Sequence, residues 1–357
     1  MKAFFMGGSV RSALTHFALY GLADIIEQAG GQARLGWTDE GQPRGRVLSS
    51  LDAEEIATAV LTIARRDRDA TWVNADVDTG GRVPVAAFSP RVKTPSVTDR
   101  PGWRRLQRTR HAALDELDVV NAASTLRLID ALGEPSHWHM GQQNLEPDRG
   151  ASRWEMKTRN RGEEFISHRY RPLCHEVADW PTEHIIQGLT GEKLRDPLGK
   201  DRDTSRSSSG LTTPGPADNA MVYCALRGIA QFPLGHRGTA GRWGTPVNAT
   251  PGVWPNEVTH PRNMALPALV GEVTPARLRA ILVSAQMDLV HRDLVRPPRD
   301  APGESADADR TDPALVAAAR AWLRQRRVPA VIVFPILKTG SGNAPERQVQ
   351  SGKVHVL

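Results

Sequence analysis

The chain has 357 residues, 46 of them Lys or Arg and 40 Asp or Glu, giving a formal net charge of +6. At about 150 residues per domain this length fits two domains or one long α+β domain, and it is long enough to bury a sizeable core. The longest apolar stretch, Val328 to Leu337, holds two prolines and falls short of the roughly 18 residues that span a bilayer. Gly7, Gly8 and Arg11 break the apolar start before a signal-peptide core forms, and Cys174 and Cys224 make no disulfide framework, so a cytoplasmic protein without membrane contact is expected.

The first element is a helix from about Ser12 to Ala29, where Leu14, Phe17, Ala18, Gly21, Leu22, Ile25 and Ile26 recur at helical spacing before Gly30-Gly31 stops it. A hairpin pairs Ala33–Thr38 with Arg46–Ser49. A second helix, about Asp52 to Arg66, starts with Asp52 and Glu55 spaced as a capping box. Residues 71–98 read as short strands and loops, including Arg82–Phe88. Helices over about 101–117 and 121–132, strand-like stretches at 152–158 and 163–170, and helical turns near 173–189 complete the first half.

Residues 191–216 are polar, rich in Ser, Gly and Pro and nearly without apolar anchors, which predicts a long, flexible surface loop. A helix over Ala217–Ile229, a strand over Ala230–Leu234, a hairpin at 242–254 and a strand near 264–270 follow. Thr274-Pro275 opens a helix to about Ser284. Residues 296–311 form a second polar loop, Asp312-Pro313 starts a last helix to about Arg326, and Ala330–Leu337 is a buried strand. The pattern predicts an α+β fold of mixed helices and antiparallel hairpins, too irregular for a doubly wound sheet, with lobes at 1–190 and 217–357 on either side of the loop.

Only seven of the basic residues are lysines. Guanidinium groups suit phosphates and base edges, but codon bias of a high-GC genome raises arginine too, so position must decide. In Trp103-Arg104-Arg105-Leu106-Gln107-Arg108-Thr109-Arg110-His111, helical geometry puts Arg104, Arg108 and His111 on one face with Arg105 beside them. A phosphate backbone would offset their repulsion, with Trp103 available to stack; pairing with Asp115 and Glu116 is the plain alternative. The loop adds Lys193, Arg195, Lys200, Arg202 and Arg206 beside Ser207–Ser209. These residues, with Arg110, are the candidate nucleic-acid contacts.

Other chemistry finds less support. His137, His139, Cys174 and His175 offer metal-ligand types, yet no Cys-x-x-Cys or His-Glu-x-x-His spacing is present. There is neither a Gly-x-Ser-x-Gly elbow nor a phosphate-binding loop. No metal, cofactor or catalytic constellation is predicted, and a metal-dependent hydrolase built on those four residues stands as an alternative.

Three stretches resemble a known family. They are Ser12-Ala13-Leu14 through Gly21-Leu22-Ala23 to Leu35-Gly36-Trp37; Leu194-Arg195-Asp196-Pro197 with Pro214 to Ala220; and Ala225-Leu226-Arg227-Gly228-Ile229 with Gln231-Phe232-Pro233-Leu234. Together they resemble the large subunit of type I-G (formerly I-U) CRISPR surveillance complexes, although Gly7-Gly8-Ser9 replaces that family's Asn-Pro-Gly and paired-cysteine opening. The resemblance implies a non-catalytic subunit of Cascade, the crRNA-guided antiviral complex. Its partners would be the other Cascade subunits, crRNA, target double-stranded DNA and a helicase-nuclease recruited to the R-loop. Its task would be to sense the adjacent motif and stabilise the R-loop. A backbone or crRNA-capping role in the same complex is the alternative the resemblance leaves open.

Overall fold

The computed structural model describes residues 1–78, 84–89, 100–133, 154, 165–203, 205, 209–240, 245–254, 261–295, 312–341 and 344–357. Helix accounts for 52% and strand for 18%, and the sheets are antiparallel, so the fold class is α+β. At its centre lies helix α1 (Ala13–Gln28), in which every residue from Ala13 to Ile26 is buried. The apolar stripe expected for this helix is therefore only part of what it hides. The opposite face packs on α8 (Asn219–Arg227), itself buried along its whole length. Two glycines permit this close crossing: a Cβ on Gly21 would collide with the carbonyl oxygen of Cys224, and one on Gly228 with that of Phe17.

Around this pair lie two sheets. Strands β1 (Lys2–Phe5), β2 (Ala33–Trp37) and β3 (Gly45–Ser49) pair in the order β1-β3-β2. Phe4, Leu35 and Val47 face inward, while Phe5, Arg34 and Arg46 alternate outward or part-way so. Helix α2 (Ala53–Asp69) follows with both halves of the Asp52–Glu55 capping box formed. The second sheet is built on β10 (Ala330–Ser341), which pairs with β9 (Asn263–Ala268) on one side and with β11 (Ala344–Val349) and β12 (Lys353–Val356) on the other; β8 (Val253–Trp254) continues it beyond β9. Bridges Leu35–Val273 and Trp37–Val270 tie the two sheets together.

Hairpins β4 (Asp76–Val77)/β5 (Val85–Ala86) and β6 (Gly235–Ala240)/β7 (Thr245–Ala249) complete the strands. The remaining helices are α3 (Thr71–Asn74), α4 (Arg100–Val119), α5 (Ala123–Leu132), α6 (Arg171–Ala178), α7 (Thr182–Thr190), α9 (Pro275–Leu282), α10 (Ala285–Val295) and α11 (Pro313–Gln325). Buried apolar residues before and after 191–216 form one continuous cluster, because α1 and α8, from opposite sides of that segment, are the central pair.

Several elements differ from expectation. The strand expected at 163–170 is helical where it is described: a π-helical turn, Ile166–Tyr170, runs into α6 and buries Phe165, Ile166, Arg169 and Tyr170 on one face. Its aromatic and β-branched residues favour strand locally, and tertiary burial overrides them. Residues 230–231 belong to a 3-10 turn, Gly228–Gln231, and the strand begins only at Gly235. The chain past Ser284 is helical again, since the Ser284 hydroxyl accepts from the Met287 amide at 3.1 Å and starts α10. The expected stretches 152–158 (Trp154 apart) and 296–311 lie outside the described residues. No helix is long and apolar enough to cross a membrane among the described residues.

Candidate nucleic-acid interface

Helix α4 turns Trp103, Leu106, Arg110 and Ala113 inward. Its outer surface presents Arg104 and Arg108, one turn apart and exposed, and neither forms an ion pair or hydrogen bond among the described residues. The pairing with Asp115 and Glu116 considered from the sequence is not made by these two arginines. Arg105 is half-buried and its Nε donates to the carbonyl oxygen of Asp78 at 2.8 Å.

Two members of the candidate set are misplaced. Trp103 is only 9% exposed and forms part of the core, so it offers no face for a base. Arg110 is fully buried: its Nη1 donates to the carbonyl oxygen of Ala87 and its guanidinium lies 4.7 Å from the centre of the Phe88 ring. The signal was in the spacing, since 103, 106, 110 and 113 share one helical stripe that is apolar except at Arg110.

Within the expected flexible loop, described residues gather in a hydrogen-bonded knot around Asp196. That carboxylate, 3% exposed, accepts from the Ser205 hydroxyl at 2.5 Å, the Asn219 amide at 2.9 Å and the backbone of Gly199 at 3.0 Å. Asp218, the N-cap of α8, accepts from the backbone of Arg195, Ala220 and Met221. Its pKa is pushed up to about 6 because burial outweighs those donors. A polar sequence is thus anchored by buried polar groups instead of apolar ones. Lys200 and Asp201 sit at φ +59° and +47°, turning the chain back so that the Asp201 amide donates to the carbonyl of Asp196. Lys193, Lys200 and Arg202 are exposed, whereas Arg195 is half-buried, with Nη2 donating to Gln187 Oε1 at 2.5 Å. Arg206 lies outside the described residues.

Arg104 and Arg108 are not brought together with the loop cations. Helix α4 packs on α3, β4 and α5, while the 3-10 turn of the loop (Pro197–Gly199) packs on α6.

Sequence reasoning missed a polar network at the α1–α8 crossing. Arg227, Asp67 and Asp24 are wholly buried. Arg227 Nη1 donates to Asp67 Oδ2 at 3.1 Å, Tyr170 and Tyr223 donate their hydroxyls to the same oxygen at 2.5 and 3.3 Å, and Arg227 Nη2 reaches Ser124 at 3.3 Å. Asp24 is held by Ser124, by Arg127 at 3.1 Å and by Gln28 at 2.9 Å. Burial drives the Tyr170, Tyr223 and Cys174 pKa values upward. Burial opposes the Arg227 charge, and neighbouring Tyr170 and Asp67 outweigh it, holding its pKa above the ordinary value. A cavity of about 740 Å³ lies beside this network, lined by Glu27, Arg66, Glu116 and Arg127 among others. Both of its guanidinium groups are engaged within the protein, Arg66 with Asp67 at 3.0 Å and Arg127 with Asp24.

The hydrolase alternative gains no geometry. Cys174 is buried beside this network while His175, next in the chain, is exposed, and His137 and His139 lie outside the described residues. Among the described residues no group of three or more His, Cys, Asp or Glu is placed to hold a metal ion. No protein-family model matches the chain, and no curated protein sequence matches it.

Proposed function

We propose that this chain is a nucleic-acid-binding subunit of a crRNA-guided CRISPR surveillance complex, with the large-subunit role of contacting target DNA, and that the chemistry of cleavage belongs to a partner. The observation that carries the reading is the Arg104–Arg108 pair. Two permanently charged groups stand one turn apart on an exposed helix face without a carboxylate partner among the described residues, an arrangement whose repulsion a phosphate backbone offsets. Exposed Lys193, Lys200 and Arg202 on the Asp196 knot add a second cationic element. The hydrogen bonds to Asp196 suit it to hold a register on a duplex, because phosphate contacts position a protein without reading sequence.

The resemblance supports the same reading. Its first and third stretches pack together where Gly228 meets Phe17, and the two parts of its second are joined where the Asn219 amide donates to Asp196. In guide-loaded complexes base pairing reads the sequence while protein contacts the short adjacent motif and the backbone, which needs no catalytic set on this chain.

The test is equilibrium binding of a labelled duplex to the purified chain across a salt series. Replacing Arg104 and Arg108 with Ala is expected to weaken binding and reduce the salt slope by about 2, one for each guanidinium removed. An unchanged slope, with the fold intact by circular dichroism, removes α4 from the interface. Failure of the wild-type chain to bind any nucleic acid or guide-loaded assembly ends the proposal.

A further inference from the structure

The β1-β3-β2 sheet covers the core with one face and leaves the other partly open. Across that outer face Phe5 stands opposite Arg46, and Arg46 opposite Gly36; Arg34 lies two residues before Gly36 on the same side of β2. Phe5 is 36% exposed, with the Arg44 guanidinium 5.1 Å from its ring centre. Arg34 is exposed and forms no ion pair or hydrogen bond through its side chain among the described residues. Arg46 keeps a loose pairing with Glu272 at 3.5 Å.

Beyond β2 the surface continues into the corner that joins the sheets. The Gly271 carbonyl sits against Gly36, the side chain of Arg327 lies over Gly271, and the Val270 amide donates to the Arg327 carbonyl at 2.9 Å. Arg327 is exposed, holds φ at +65° and has no side-chain hydrogen bond or ion pair among the described residues. The row thus carries four guanidinium groups, on Arg34, Arg44, Arg46 and Arg327, and one aromatic ring. Its acids are Glu272 and, at the tip of the β2–β3 connection, Asp39 and Glu40.

We propose that this open face is a second nucleic-acid contact surface, distinct from α4, that takes an unpaired strand with its phosphates along Arg34, Arg46 and Arg327 and a base against Phe5. It rests on the nucleic-acid reading above and names a partner for a different part of the molecule. Charge complementarity selects the occupant: arginines in a row ask for a repeating anion, and an exposed ring at the β1 end of that row suits a base, which stacks whatever its identity. A duplex presents no free base face to Phe5, so the strand is single.

The experiment measures binding of a fluorescein-labelled oligothymidine and of a duplex by the full chain, using Arg34→Gln with Arg327→Asn, Phe5→Ala, and Arg104→Ala with Arg108→Ala. Asn tolerates the left-handed backbone at 327. The sheet pair is expected to lower oligothymidine affinity about tenfold and its salt slope by about 1.4, and Phe5→Ala to lower affinity about fivefold, both with smaller effects on the duplex. If oligothymidine binding ignores all three sheet substitutions but responds to those on α4, the inference falls and the proposed function stands. If the wild-type chain binds neither probe, both fall. If the sheet variants lose binding to polyglutamate but not to oligothymidine, the face serves an acidic protein and the inference is overturned.

Discussion

Arg227 and Asp67 meet 3.1 Å apart at the centre of the molecule, each with no solvent exposure. Asp24 approaches the same guanidinium at 3.8 Å, so this wholly buried cation links two buried carboxylates that Arg66 and Arg127 also reach from the outside, helped by Tyr170, Tyr223 and Ser124. Desolvating such groups is costly, and their attraction repays it only while the whole set is in place.

Arg227→Met is therefore expected to destabilise the protein by about 3–5 kcal/mol in urea unfolding, because Asp67 and Asp24 lose their one wholly buried cation and keep only the partly exposed Arg66 and Arg127. Arg227→Met with Asp67→Leu should recover part of that loss. A single variant within about 1 kcal/mol of wild type would mean that the network is replaceable polar filling.

Gly21→Ala places a methyl group against the backbone of Cys224, where no side chain can rotate away. Overpacking of this kind costs about 1–3 kcal/mol and more where the neighbour is backbone. Gly41→Ala, with open space around it, should leave stability unchanged or raise it by about 0.4–1 kcal/mol. Equal unfolding midpoints for the two variants would contradict the α1–α8 contact.

Arg110 and the Arg104–Arg108 pair should separate cleanly. Arg110→Ala removes a buried guanidinium held by Ala87 and Phe88, so thermal stability falls while the salt slope of duplex binding stays. Arg104→Ala with Arg108→Ala should do the reverse. Loss of binding on Arg110→Ala at unchanged Tm would place that residue at the interface.

His16 is buried with Nε2 donating to the Val10 carbonyl at 2.8 Å, and burial lowers its pKa to about 4; His291, also buried, falls to about 4 as well. Because the unfolded chain takes these protons near pH 6.5, the stability they contribute is complete above that pH and is lost as pH falls toward 4. Each accounts for about 3 kcal/mol. Asp218, raised to about 6, works the other way, gaining about 2 kcal/mol for the folded state as pH falls from 6 to 4. The net expectation is a loss of about 4 kcal/mol between pH 7 and 4 from these groups, read as a falling Tm. His291→Leu should flatten the profile. A Tm that holds steady over this range in wild type would refute the account.

Asp196→Ala is expected to leave the α1–α8 core folded yet make 191–216 markedly faster to cleave in limited proteolysis, since Ser205, Asn219 and Gly199 lose their common acceptor. Cleavage at the wild-type rate would show that Asp196 does not hold the loop.

Local chemistry made much of this protein readable in advance. The caps Asp52, Thr274 and Asp312, the glycine stop after α1, the β2–β3 hairpin and the α+β class all follow from contacts within a few residues, where propensity and hydrogen bonding act without help from the rest of the chain. Tertiary structure decided which charges are available. Helical spacing sets Arg110 on the apolar stripe of α4 and Arg104 off it, but only the packing of α4 on its neighbours supplies the Ala87 carbonyl and the Phe88 ring that let a guanidinium be buried there. The same holds for Asp24, Asp67 and Arg227, which find one another and Arg127 across 103, 160 and 203 residues of chain. A buried charge must find its counter-charge in space, and spacing along the chain carries no record of a partner that far off.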